Sequence, residues 1–194
     1  NRIDPLSDIQ IINAELALSD LDILEKNYQK LKKMQKTDDD KKKVFSIEKA
    51  IQLISEEKKI LGNLDQDEIE YLNTYQLIST KPVVYICNVD ENSALSGNEF
   101  TKKIDTYAKE NNSDVLLISA KIESEISQIA DANDKQDFLE SMGLQETGLK
   151  RVIKKGYEIL NYINYFTAGE KELRAWTITK GTLAPSAAGT IHSD

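Results

Sequence analysis

The first 80 residues contain very few helix breakers, and this stretch limits the possible folds more than any other feature. Only Pro5 and Gly62 interrupt it. Apolar residues recur three and four positions apart, the spacing of a helix that packs on a second helix. They are Ala14, Ala17, Leu21, Leu24, Tyr28 and Leu31, and then Val44, Ile47, Ile51, Ile54 and Leu61, with Lys58 as the one polar residue in the series. The all-charged run 38–43 between the two sets predicts an exposed hairpin tip. We therefore expect two long helices in a hairpin, followed by a shorter helix over 66–79.

The pattern changes after Lys81 and Pro82, where a strand–helix–strand unit is predicted. The continuous apolar runs 83–87 and 115–118 are typical of strands buried on both faces. A helical pattern over 98–111 separates them, so the strands should be parallel. Further helices are expected over 123–131, 135–142 and 148–163. From Asn164 onward we expect a turn at 165–169, a strand at 174–178 and a final loop.

Composition and charge exclude several classes of protein. A single cysteine, Cys87, excludes a fold held by intramolecular disulfides. No apolar run approaches the roughly 18 residues of a membrane span, and no signal peptide is visible. We therefore expect a cytoplasmic, monomeric protein without a membrane partner. The net charge of −8 indicates that any contact with RNA is local. Because the chain starts at Asn1 without a methionine, we expect it to be a piece of a longer protein.

Two short motifs follow the predicted strands. Residues 88–91 read Asn-Val-Asp-Glu, and residues 119–121 read Ser-Ala-Lys. Ligands of open parallel sheets bind beyond the carboxyl ends of the strands, so these motifs are candidates for a nucleotide-base pocket. There an asparagine can bridge the two loops, and the Ala120 amide can donate to a base. In the alternative interpretation, Asn88 merely caps a turn and Ser119 caps the next helix.

The two motifs resemble those of a known family. P-loop GTPases read guanine with Asn-Lys-x-Asp after one strand and Ser-Ala-Lys after the next. The change to Asn-Val-Asp-Glu, with Ser-Ala-Lys kept, resembles the Obg-like ATPase family of the YchF type. The resemblance covers essentially the whole chain. It includes the segments 2–5, 8–9, 15–20, 80–83, 143–144, 148–149, 165–169, 174–178 and 184–192.

The resemblance implies an α/β fold with a defined domain order. Residues 1–7 would end the N-terminal part of a P-loop G domain, and 8–64 would be a helical coiled-coil insertion. Residues 65–163 would form the C-terminal part of the G domain, a parallel βαβ unit. Residues 164–194 would begin a β-rich TGS domain. Because TGS domains resemble RNA-associated modules, Lys171, Arg174 and Lys180 are possible RNA contacts.

The resemblance also implies a function. Family members bind and hydrolyse ATP with Mg²⁺, in preference to GTP, and associate with ribosomes. The base would be held by six residues. They are Asn88, Val89, Glu91, Ser119, Ala120 and Lys121. No Gly-x-x-x-x-Gly-Lys-Ser/Thr motif occurs in these 194 residues, so the phosphate-binding half and the Mg²⁺ ligands are expected upstream. We expect no catalytic or metal-binding residue in this chain, and no hydrolysis by the chain alone.

Base preference follows from the two departures from the guanine motif. Guanine offers adjacent N–H donors to a carboxylate, whereas adenine offers an acceptor at N1. Glu91 is one methylene longer than aspartate, and Val89 replaces the lysine that covers the base. We therefore predict adenine-favouring or relaxed specificity. Two alternatives stay open: a non-catalytic adaptor that binds ribosomal RNA or protein, and a GTPase in which Glu91 still reads guanine.

Overall fold

The computed structural model describes residues 3–34, 36–58, 60–170 and 172–191. It contains helices and strands in the mixture predicted for an α/β protein. In the described part, no helix has the length and apolar character that a membrane crossing requires. Contacts divide the chain into two compact units. The first comprises 1–85 and 98–115, and the second comprises 86–97 and 116–194.

Helices dominate the first unit. They are α1 (Pro5–Met34), α2 (Asp38–Ser55), α3 (Gln66–Asn73) and α4 (Glu99–Glu110). The predicted apolar spacing forms the contact between α1 and α2, where Leu24 and Ile47 are fully buried. Ile60, Leu72 and Leu77 complete this core from the segments that follow. Two helices packed through the predicted residues are therefore confirmed, while the coiled-coil insertion with bounds 8–64 stays a prediction.

Most of the charged run 38–43 is exposed, while Asp40 and Lys43 are half-buried. The prediction that the run forms the hairpin tip is wrong, because it is the start of α2. Thr37 caps this helix: its side chain accepts from the Asp40 amide at 3.1 Å. The Asp40 carboxylate accepts in return from the Thr37 amide at 2.9 Å. Such a reciprocal capping box stabilises a helix start, so the turn lies just before Asp38.

Two helices of this unit end earlier than predicted. Helix α2 stops at Ser55, and Glu57 has a left-handed backbone with φ of 56°. Helix α3 stops at Asn73, and Gln76 is left-handed with φ of 55°. Neither residue is a glycine, so the sequence carries no clear signal for these breaks.

Strands β1 (Val84–Asn88) and β2 (Asp114–Ile118) pair in a two-stranded sheet. The Asp114 amide donates to the Val83 carbonyl at 3.4 Å, and the Val89 amide donates to the Ile118 carbonyl at 2.8 Å. Like ends therefore lie together, which confirms the predicted parallel pairing. The prediction that both strands are buried on both faces is wrong, since Ile86 in β1 is 49% exposed. In the described residues this sheet has only two strands, so part of its surface stays uncovered.

The second unit continues with three helices and a hairpin. The helices are α5 (Ala120–Gln128), α6 (Ala132–Ser141) and α7 (Gly148–Ile159). Their core consists of Ala94, Ile122, Ile126, Leu139 and Leu144. Strands β3 (Tyr162–Ala168) and β4 (Leu173–Thr179) pair antiparallel, and α8 (Ala184–Gly189) follows.

Three predictions for this region need correction. The helix expected over 148–163 ends at Ile159, because Asn161 is left-handed with φ of 55° and β3 begins next. The turn expected at 165–169 is mostly strand, because the alternation of Tyr165 and Thr167 with exposed residues suits a half-buried hairpin. A short helix, α8, lies in the expected final loop. The predicted strand over 174–178 is confirmed as part of β4.

Candidate functional site

Asn88 links the two motifs. It is the exposed last residue of β1, and its Oδ1 accepts from the Ala120 amide at 3.0 Å across 32 residues of sequence. Ala120 is the first residue of α5, directly beyond β2. The ends of both parallel strands are thereby joined at one edge, the position where open sheets bind ligands. The Ala120 amide, which the sequence predicts as a donor to a base, is bonded to Asn88 here.

The rest of the first motif is anchored through its main chain. The Val89 side chain is half-buried, and its amide is held by the Ile118 carbonyl. The next residue, Asp90, starts a single 3₁₀ turn (Glu91–Ser93) and accepts from the Ser93 amide at 2.8 Å. Hydrogen bonds from the Ser93 hydroxyl and amide lower the pKa of Asp90. Sequence reasoning did not single out Asp90, although aspartate is one of the preferred residues at the N-cap position.

Glu91 and Lys121 form an ion pair between the two motifs. The hydrogen bond with Glu91, followed by its charge, raises the pKa of Lys121. The Glu91 side chain is 33% exposed and that of Lys121 is 66% exposed. An exposed pair of this kind contributes little to stability. The pair matters for chemistry, because the Lys121 ammonium occupies the Glu91 carboxylate, which could otherwise accept from a ligand.

Ser119 is buried and its hydroxyl is unsatisfied. The residue is 3% exposed and occupies the N-cap position of α5. Its side chain makes no capping bond, and its Oγ finds no hydrogen-bond partner among the described residues. The Ser119 hydroxyl therefore does not cap α5, contrary to the alternative interpretation of this residue. A buried polar atom without a partner costs about 1–3 kcal/mol, which marks this helix start as a candidate ligand site.

Glu123, one turn into α5, supports the second motif and was missed in the sequence. Its two carboxylate oxygens accept from the Gly148 amide at 2.6 Å and from the Leu149 amide at 3.2 Å. These amides open α7, where a carboxylate is favoured by the unpaired donors and the helix dipole. Glu123, one helical turn after Ser119, thus ties α5 to the start of α7. A single glutamate on a helix gives no sequence signal for such a role.

Replacing Gly148 by alanine should destabilise the protein, whereas Gly156→Ala should not. A Cβ at Gly148 would lie 2.8 Å from Ile118 Cγ2 and 3.0 Å from Glu123 Oε1. Overpacking of this kind costs about 1–3 kcal/mol. Gly156 lies in the same helix with nothing within 4 Å of a Cβ, so alanine there should stabilise by up to about 1 kcal/mol. Urea unfolding followed by circular dichroism measures both, and equal effects would contradict the packing argument.

The predicted RNA contacts are distributed over the hairpin. Arg174 is exposed on β4, and its guanidinium carbon lies 4.1 Å from the centroid of the Trp176 ring, a cation–π contact. Lys180 is exposed just after β4, and its amide donates to the Asn161 carbonyl at 2.7 Å. Lys171 lies outside the described residues. Contact of these residues with RNA stays a prediction.

Known proteins match this chain over its whole length. Residues 162–194 match the family model YchF-GTPase_C, described as a protein of unknown function (DUF933). The ribosome-binding ATPase YchF of Haemophilus ducreyi is 42% identical over 100% of this chain and 53% of its own length. Obg-like ATPase 1 of Schizosaccharomyces pombe is 34% identical over 99% of this chain and 52% of its own length. The solved Schizosaccharomyces pombe YchF GTPase matches with a TM-score of 0.90 and 32% identity, over 100% of this chain and 54% of that one. The chain belongs to the YchF/Obg-like ATPase family.

Membership confirms the family resemblance and the α/β class. The chain spans about half the length of the curated relatives that it matches. The names of those relatives refer to whole proteins that bind ribosomes and hydrolyse ATP. For this YchF-family chain, the six base-site residues, the domain bounds and the partners therefore stay predictions.

Proposed function

We propose that this chain supplies the nucleotide-base site of a ribosome-associated P-loop ATPase. In this proposal the phosphate-binding half and the Mg²⁺ ligands lie upstream of Asn1, and the chain alone does not hydrolyse ATP. The whole protein hydrolyses ATP, and GTP less well. Two relatives are named ribosome-binding ATPases, which supports the proposal of a ribosome-associated ATPase.

The observation that carries the proposal is the junction of the two strand ends. The Asn88 side chain bonds the Ala120 amide, and the buried Ser119 hydroxyl beside that amide has no partner in the described part of the chain. Two converging loops at the carboxyl edge of a parallel sheet, with polar atoms available, suit a planar heterocycle bearing donors and acceptors. Val89 would offer an apolar contact to its ring.

The geometry also supports a preference for adenine. Reading guanine requires a carboxylate that accepts from N1–H and N2–H₂ together. The Glu91 carboxylate is instead paired with Lys121. A carboxylate held by a cation is a weaker acceptor for guanine, while adenine, with an acceptor at N1, needs no carboxylate. ATP over GTP is therefore the expected order of affinity.

Within the described ranges, no three histidine, cysteine, aspartate or glutamate side chains come together as metal ligands would. In the proposal, this chain's own residues orient the base, and the metal-dependent chemistry belongs to the upstream half.

Asn88→Ala tests the base site, with Asn92→Ala as its matched control. Asn92 is an exposed asparagine in the neighbouring 3₁₀ turn. Calorimetric titrations with ATP and GTP would use the protein extended upstream of Asn1 and the 194-residue chain. We expect ATP to bind the extended protein more tightly than GTP. Asn88→Ala should weaken ATP binding at least tenfold, because it removes the link between the loops, and Asn92→Ala should not.

The outcomes separate the proposal from its alternatives. The 194-residue chain should not bind measurably, since it lacks a phosphate cradle. Equal losses from Asn88→Ala and Asn92→Ala would place the base elsewhere. Comparable affinity for GTP would favour a GTPase in which Glu91 reads guanine. Absence of binding by the extended protein would favour a non-catalytic adaptor that binds ribosomal RNA or protein.

A further inference from the structure

The β2–α5 corner, residues 118–120, lacks the side-chain cap that usually fixes a helix start. Ser119 occupies the N-cap position of α5, yet its hydroxyl finds no hydrogen-bond partner among the described residues. The first amides of an uncapped helix depend on partners from elsewhere. The Ala120 amide is bonded by Asn88 Oδ1 at 3.0 Å. The corner that carries two of the proposed base-site residues is therefore positioned by neighbouring segments.

Glu123 connects the β2–α5 corner to the start of α7. Its amide donates to the Ser119 carbonyl at 3.0 Å, a main-chain bond of the first turn of α5. Its carboxylate accepts from the Gly148 amide at 2.6 Å and from the Leu149 amide at 3.2 Å. One residue therefore bonds the corner through its main chain and α7 through its side chain.

The Gly148 amide depends on this carboxylate. Gly148 is buried, so water has little access to its amide. The N-cap residue of α7, Thr147, uses its side chain to accept from the Lys150 amide at 3.2 Å instead. Without Glu123 the Gly148 amide would be a buried donor without its acceptor, which is costly. The start of α7 is therefore expected to shift when the carboxylate is removed.

Such a shift would reach both motifs, because α7 also contacts the strand that ends at the corner. A Cβ at Gly148 would lie 2.8 Å from Ile118 Cγ2 and 3.2 Å from Ile118 Cβ, so the helix start and the strand end are closely packed. The Ile118 carbonyl accepts from the Val89 amide at 2.8 Å. Contacts therefore run from α7 through Ile118 to Val89, the residue proposed to contact the ring of the base.

We propose that Glu123 is a positioning residue for the nucleotide base. By bonding the start of α7 it fixes the spacing between the β2–α5 corner and Val89, and it acts through Ser119 and Ile118. This inference rests on the proposed base site and adds to it a residue outside the two motifs. Binding groups must be held to within about 0.5 Å of their productive positions, which supporting hydrogen bonds achieve. Loss of the carboxylate should therefore weaken binding of the base and leave binding of the phosphates unchanged.

The test compares Glu123→Ala with Glu123→Gln in the upstream-extended protein. Glutamine keeps the shape of the side chain and one carbonyl oxygen, which can accept from the buried Gly148 amide. Water can replace the second oxygen at the exposed Leu149. Glu125→Ala is the matched control, because Glu125 is an exposed glutamate of the same helix. Calorimetric titrations use ATP and inorganic tripolyphosphate, which has no base, and circular dichroism checks the fold.

We expect Glu123→Ala to weaken ATP binding about tenfold and Glu123→Gln to weaken it less than about threefold. The affinity for tripolyphosphate should be unchanged in both variants, and Glu125→Ala should change neither affinity. Parallel losses of ATP and tripolyphosphate binding would overturn the inference, because they indicate a general loss of structure. Equal ATP losses in the alanine and glutamine variants would also overturn it, since charge and not hydrogen bonding would then be responsible.

Asn88→Ala separates this inference from the proposed function. If Asn88→Ala weakens ATP binding and Glu123→Ala does not, the base site stands and the positioning role of Glu123 is refuted. If neither variant weakens ATP binding, the base lies elsewhere and both proposals are refuted. Losses in both variants, confined to ATP, would support both.

Discussion

Replacing Val89 by Lys and Glu91 by Asp is expected to shift the ATP/GTP affinity ratio of the upstream-extended protein toward GTP by at least tenfold. The double variant restores the residue types of the guanine-reading motif, Asn-Lys-x-Asp. Aspartate is shorter by one methylene, so its carboxylate is withdrawn from the Lys121 ammonium that pairs with Glu91. A carboxylate free to accept from two guanine donors discriminates by several kcal/mol when those donors would otherwise stay unpaired.

The two single variants are the controls for this prediction. Val89→Lys alone adds a cover for the base and leaves Glu91 paired, so it should change ATP and GTP affinities alike. Glu91→Asp alone should carry most of the shift. Affinities for both nucleotides, measured by titration calorimetry, give the ratio directly. An unchanged ratio in the double variant would show that these two positions do not select the base.

Asp20→Ala should lower the free energy of unfolding by about 3 kcal/mol. Asp20 is fully buried in α1. Its carboxylate accepts from the Ile78 amide at 2.9 Å, from the Ser79 amide at 2.7 Å and from the Ser79 hydroxyl at 2.5 Å. Removing it leaves two main-chain donors and a hydroxyl without their acceptor, and each unsatisfied buried group costs about 1–3 kcal/mol. These residues lie just before β1, so the loss should also loosen the entry to that strand.

Asp22→Ala is the matched control, because Asp22 is an exposed aspartate two residues along the same helix. It should change stability by less than about 0.5 kcal/mol, as surface substitutions usually do. Guanidinium unfolding followed at 222 nm measures both variants. Similar small effects would mean that the loop finds other partners for its amides, contrary to the buried-carboxylate argument.

Local patterns predicted much of the framework. The three-and-four spacing of Leu24 and its neighbours identified the α1–α2 contact, because a helix pair must bury one continuous apolar side. Two apolar runs separated by one helix identified the parallel strands. Predictions failed where a break depended on a single backbone conformation. Glu57 and Gln76 follow helix ends with positive φ, a backbone conformation that neither residue type favours.

The sequence by itself determined the family and the position of the candidate site, because the motifs at 88–91 and 119–121 follow predicted strands and differ from the guanine motif at defined residues. Only the tertiary structure decided how those motifs interact. It joined Asn88 to the Ala120 amide, paired Glu91 with Lys121 and left the buried Ser119 hydroxyl unsatisfied in the described residues. These contacts bridge about 30 residues of sequence, and their partners are chosen by packing and hydrogen-bond geometry in the folded chain. Local propensity and periodicity describe neighbours along a helix or strand, so they carry no information about such pairs.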